Sequence, residues 1–77
     1  MNWEERISVD SNICHGKACI KGTRVMVSAI LDNLAAGETP ESIVRGYNIE
    51  EADVQASLHY AAALASDRII RLPMGAT

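Results

Sequence analysis

Apolar positions change period once along this chain. Residues 6 to 27 are rich in β-branched and turn residues: RISVD alternates, DSN at 10–12 offers an Asx-type turn, and Ile20, Val25 and Val27 alternate around Gly22. A two-residue repeat broken by turn chemistry predicts short strands or a loose hairpin over 6–26. From Val27 the period becomes helical, with Val27, Ile30, Leu31 and Leu34 on one face and Gly37 as the stop. In TPES, Thr39 is a good N-cap, Pro40 sits where a missing N–H costs nothing, and Glu41 faces the positive helix end. A short second helix is predicted through Ile43 and Val44 to about Gly46. After GYNI, residues 50–72 carry a stripe at Val54, Leu58, Ala61, Ala65, Ile69 and Leu72, ended by Pro73 and Gly75. This is the longest predicted helix.

At about 1.5 Å per residue that helix runs about 30 Å or more, longer than two short neighbours can cover. Ala61, Ala62, Ala63, Ala65 and Ser66 permit close helix approach. Its second half is therefore expected to pack on a second copy or on a partner protein. The fold expected is mainly α: a three-helix bundle over 27–72, a β/turn element over 6–26 and a flexible tail over 73–77, all in one domain spanning 1–77. Three helices with a short second one and a tight break before the third follow the order of a homeodomain-like helix-turn-helix.

Composition narrows this picture. A chain of 77 residues buries only about 60% of the surface its unfolded form exposes, so stability is expected to be shared with a partner. Phe is absent and only Trp3, Tyr47 and Tyr60 are aromatic, which leaves a core of Ile, Leu, Val and Ala and suits packed helices. Trp3 and Tyr47 are assigned no role beyond partial core. Seven basic against ten acidic side chains give a net charge of -3, which argues against an ordinary electrostatic nucleic-acid binder. No apolar run approaches the ~20 residues of a membrane span, and none follows the N-terminal charges. The chain reads as cytoplasmic with no membrane partner, and there two cysteines stay reduced by default, against a structural disulfide between Cys14 and Cys19.

Candidate chemistry concentrates in ICHGKACIKGTRV, residues 13–25. Cys14, His15 and Cys19, with His59 as a remote fourth, could ligate a metal, but a structural zinc is commonly held by two close pairs and no second pair exists. Four residues separate the cysteines, so the two-residue spacing of thioredoxin-type redox motifs is missing. Gly16 and Gly22 have five residues between them and Lys21 precedes the second, which is not a phosphate loop. Two glycine turns flanking an extended segment remain, with Lys17, Lys21 and Arg24 projecting. These are either a solvated turn or an arm facing anions, whether phosphates or a partner's carboxylates. No metal, cofactor or catalytic residue is expected.

In a helix-turn-helix the start of the third helix enters the major groove, and here that start is Glu50, Glu51 and Asp53. Three carboxylates would repel phosphate and argue against base reading, although acids there suit the helix dipole. Gln55 and His59, four apart, are the candidate base contacts on that helix. Arg68 and Arg71 stand three apart near its far end beside Ile69 and Leu72, as candidate partner-protein contacts.

The stretch ISVDSNICHGKACIKGTRVMVSAILDNLAAGETPESIVRGY closely resembles the family catalogued as domain of unknown function 433. Its members share an I-x-x-D/N-x-x-I/V-x-x-G-x-x-x-I-x-G-T-R-I/V-x-V segment followed by L-x-x-G-x-S/T-x-E-x-I/V. Both segments are present here, with Gly22, Thr23 and Arg24 as the G-T-R centre. The resemblance covers roughly residues 7 to 60. It implies a homeodomain-like helix-turn-helix preceded by a small β element, on the antitoxin side of bacterial toxin–antitoxin pairs whose toxin is often a PIN-like ribonuclease with a carboxylate-lined metal site. Members commonly have Pro where this chain has Ser11, Ala18 and Met26, and a Thr cap where it has Glu50, which leaves the third helix less well capped.

The expectation is a non-catalytic, homodimeric antitoxin that binds and blocks a ribonuclease toxin, with Arg68 and Arg71 near the toxin's acidic site and autoregulation of its operon as an added role. The alternative is a stand-alone transcriptional regulator in which Lys17, Lys21 and Arg24 hold DNA phosphates while the third helix docks in the groove. An enzyme ranks third.

Overall fold

The alternating stretch forms β1 (Ile7–Ser8) and β2 (Cys19–Ile20), paired antiparallel with Ile7 opposite Ile20 and Ser8 opposite Cys19. In this computed structural model, which describes residues 2–67, turn chemistry keeps both strands short. The carboxylate of Asp10 accepts from the Asn12 N–H at 2.8 Å, the expected Asx turn. Cys14, His15 and Gly16 then run in the left-handed region, with φ of 53°, 56° and 79°. This triple reversal turns the chain back toward β2.

It also brings the sulfurs of Cys14 and Cys19 together as a pair. That corrects the expectation of two separate thiols, and the physical reason is the left-handed backbone at Cys14 and His15, which no spacing rule anticipates.

After β2, Gly22 takes φ +81°, and Thr23 locks the turn. Its hydroxyl donates to the Ile20 carbonyl at 2.7 Å and accepts from the Val25 N–H at 3.0 Å. A bridge between Cys19 and Met26 leads into α1 (Val27–Ala35). Gly37, at φ +95°, ends α1 as predicted. The Gly37 N–H donates to Leu34 and the Glu38 N–H to Asn33, both at 3.0 Å, the two bonds of a Schellman motif. Helix α2 (Pro40–Tyr47) starts as the sequence says, with the Thr39 hydroxyl accepting from the Ser42 N–H at 3.1 Å. It stops at Asn48, whose φ of 56° suits a side chain that tolerates the left-handed region. Helix α3 (Glu51–Asp67) follows.

Among the described residues, three helices and one two-stranded sheet make the protein mainly α. Ile20, Val27, Ile30, Ile43, Ile49 and Val54 form the core, so β2, each helix and the α2–α3 break all contribute. Ile7, Leu31, Leu34 and Tyr60 pack around it.

The inner face of α3 differs from the predicted stripe. Asp53, Val54, Ala56 and Ser57 are buried, whereas Leu58 and Ala65 face outward. Small residues win this face because α3 must approach closely; the Ser57 hydroxyl is satisfied by the Asp53 carbonyl at 2.9 Å. The flank of α3 is covered by an unpredicted element, a 3-10 turn over Trp3–Arg6. Ile69 and Leu72, the rest of the predicted stripe, lie outside the described residues, as does the expected 73–77 tail.

Candidate interaction surfaces

Lys17, Lys21 and Arg24 are all exposed on the hairpin, and Gln55 and His59 are exposed on α3. Lys17 borders a cavity of about 350 Å³ whose wall includes Val9, Val27, Leu31 and Tyr60. Arg24 borders another, of about 420 Å³, with Ile13, Gly22 and Thr23. Gln55 and His59 line a third with Leu58 and Ala62. None of these three cavities is lined by both a hairpin cation and Gln55 or His59.

His59 is also less free than its exposure suggests. Its ring is stacked on Trp3, with centroids 6.4 Å apart and planes 7° from parallel, while Tyr60 meets the same indole edge-on at 6.3 Å. One face of the imidazole is thus occupied, leaving its edge for other contacts.

The acidic start of α3 is the largest departure from expectation. The Arg6 guanidinium donates to Asp53 at 3.0 Å and to Glu50 at 3.4 Å. The other Asp53 oxygen accepts from the Glu50 backbone N–H at 2.9 Å. Asp53 stands three residues after the Glu50 cap position, so this is the backward half of a capping box. The helix that the sequence leaves poorly capped is capped by its own third residue. The Arg6 pKa is raised, first by the hydrogen bond to Asp53 and then by the charges of Asp53 and Glu50, against an opposing desolvation. Two of the three carboxylates are thereby engaged from within the chain, which weakens the expected repulsion of phosphate. Glu51 alone stands outside this cluster.

Neither Arg6 nor Trp3 carries a local sequence signal for these contacts. Arg6 lies 47 residues from Asp53, and no local pattern connects a charge to a partner that distant. Only the excess of acids at one helix start hinted that a cation was needed.

Of the candidate partner-protein residues, Arg68, Ile69, Arg71 and Leu72 lie outside the described residues. Helix α3 carries Leu58 at 43% and Leu64 at 41% exposure. Among the described residues, no group of three or more His, Cys, Asp or Glu side chains could hold a metal ion. Nor is any described helix long and apolar enough to cross a membrane.

A short β1–β2 hairpin followed by a G-T-R turn, leading into three helices around an aliphatic core, defines a small mainly α protein with a β-hairpin lead-in. The chain belongs to the DUF433 family, described as proteins of unknown function, whose model matches residues 7–61. That match runs from β1 into α3, and the turn carrying Trp3 and Arg6 precedes it. No curated protein and no solved structure matches the chain.

Proposed function

We propose that the protein is a non-catalytic binding module, the antitoxin of a bacterial toxin–antitoxin pair, acting as a cytoplasmic homodimer that blocks a ribonuclease toxin. The observation that carries this reading is the outward face of α3. Leu58 is large, apolar and about two-fifths exposed, and Ala62 and Ala65, four and seven residues on, are exposed and small on the same face; Leu64, similarly exposed, stands on the side of the helix that carries Ser57. An apolar helix face of this kind marks a protein contact. The ribonuclease as partner rests on the family resemblance, and Arg68 and Arg71, further along the chain, are the residues assigned to its acidic site.

The test is an affinity pull-down of the tagged protein from native lysate at low salt, followed by mass spectrometry. A ribonuclease-like protein in near-equal amount is expected, and Leu58→Asp is expected to lose it. Arg68→Ala with Arg71→Ala is expected to weaken ribonuclease inhibition. Recovery of no protein partner would overturn the antitoxin reading.

A second reading, a helix-turn-helix regulator of DNA, is favoured by one observation. Arg6 pairs with Asp53 and Glu50 at the start of α3, so the carboxylates there are not left to face phosphate unopposed. On this reading DNA affinity falls steeply as salt rises, and Lys21→Ala lowers it about equally for every sequence. Binding that is insensitive to salt would exclude it.

A further inference from the structure

We infer that Cys14 and Cys19 form a reversible dithiol–disulfide couple, a modification site whose co-reactant is a small disulfide of the glutathione class. Three observations lead to it. The two sulfurs are held together as a pair, although Cys14 is only half-buried and Cys19 is 1% exposed. The backbone reaches this arrangement by placing Cys14 and His15, neither of them glycine, at positive φ. Such residues persist only where their surroundings over-determine them. Each sulfur also has a backbone acceptor available to its thiol form: the Arg24 carbonyl lies 3.4 Å from Cys14 Sγ and the Lys17 carbonyl 3.5 Å from Cys19 Sγ. The site thus suits the protonated thiols and the bonded sulfurs alike, as a two-state element requires.

The chemistry closes without any further reagent. The Cys14 thiolate, the more accessible of the two, attacks one sulfur of the small disulfide and expels one small thiolate. The Cys19 sulfur then attacks Cys14 in the mixed disulfide and expels the second. Two protein S–H bonds and one S–S bond are lost, one protein S–S bond and two small-molecule S–H bonds are made, and the protons pass to the leaving thiolates. Excess small thiol reverses both steps.

The couple is placed to act on the surface beside it. The Cα atoms of Cys14 and Cys19 are 7.1 Å apart, just beyond the ~7 Å that a disulfide bridges without backbone movement, so bonding draws the 14–19 turn tighter. Gly16, Lys17 and Ala18 of that turn wall the cavity that Val27, Leu31 and Tyr60 complete, and the Val27 N–H is bonded to the Ala18 carbonyl at 3.0 Å. Oxidation therefore fixes the position of Lys17 against α1 and α3, and reduction releases it.

The experiment equilibrates the full chain in buffers of graded oxidised-to-reduced glutathione, quenches with acid, alkylates and measures intact mass. The expected product is a monomer lighter by two hydrogens that takes up no alkyl group, rises with the oxidised fraction and disappears on adding reduced glutathione. Cys14→Ser is expected to abolish that species and leave one thiol, alkylated only after unfolding. Amide exchange across 13–19 is expected to be slower in the oxidised form. Two alkyl groups at every ratio, or glutathione adducts and linked dimers in place of the internal bond, would overturn the couple. Unchanged exchange across 13–19 would overturn its link to Lys17.

Discussion

Asp53 shows how much one side chain can settle. It is 7% exposed and has both carboxylate oxygens engaged, one by Arg6 and one by the Glu50 N–H. Asp53→Ala removes a cap and leaves Arg6 without its closest acceptor, so a loss of about 1–2 kcal/mol is expected in urea denaturation. Asp53→Asn keeps an acceptor for the Glu50 N–H and is expected to cost less. The sign of the pH effect follows from Arg6, whose folded pKa is raised. Its contribution is complete below the unfolded pKa and fades only as pH rises through the folded value, far into alkali. The urea midpoint is therefore not expected to fall on this account between about pH 7 and pH 9. Glycine positions separate in the same assay. Gly22 has φ +81° and open space where a Cβ would stand, so Gly22→Ala is expected to cost about 1 kcal/mol for backbone conformation alone. Gly46 lies inside α2 with nothing within 4 Å of a Cβ, and Gly46→Ala is expected to stabilise by up to about 1 kcal/mol.

Among the elements, the hairpin and the first two helices follow their local chemistry. Gly37, Thr39, Pro40 and Asn48 are punctuation that acts within a few residues: Gly37 ends α1, Thr39 and Pro40 start α2 and Asn48 stops it, whereas α1 begins after Met26 without a side-chain cap. Helix α3 is different, because its face is chosen by neighbours. The 3-10 turn over Trp3–Arg6 packs on it through Trp3, His59 and Tyr60. Trp3 is the one tryptophan in the chain, so its fluorescence reports this docking directly. Arg6→Ala is expected to shift Trp3 emission to the red while the helical circular dichroism is largely kept. An unchanged spectrum would mean that the aromatic cluster holds the turn without the ion pair.

For the whole molecule, the core is small and drawn from β2, the α2–α3 break and all three helices. Ile30 is fully buried at its centre, and Ile30→Ala is expected to cost about 2–5 kcal/mol, a large share of the stability of so short a chain. Circular dichroism at ambient temperature should then show a substantial unfolded population. The sequence by itself determined the mainly α class, the hairpin before it, the ends of α1 and α2, and the family, because periodicity, caps and turn residues act over a few positions. It also marked Lys17, Lys21, Arg24, Gln55 and His59 as polar and available, and all are exposed. Only the tertiary structure decided that Leu58 faces outward and that Arg6 engages the acids of α3. It alone brought Cys14 against Cys19. These outcomes depend on which distant segments share one small core and on an uncommon left-handed turn, and neither is written in the spacing of residues along the chain.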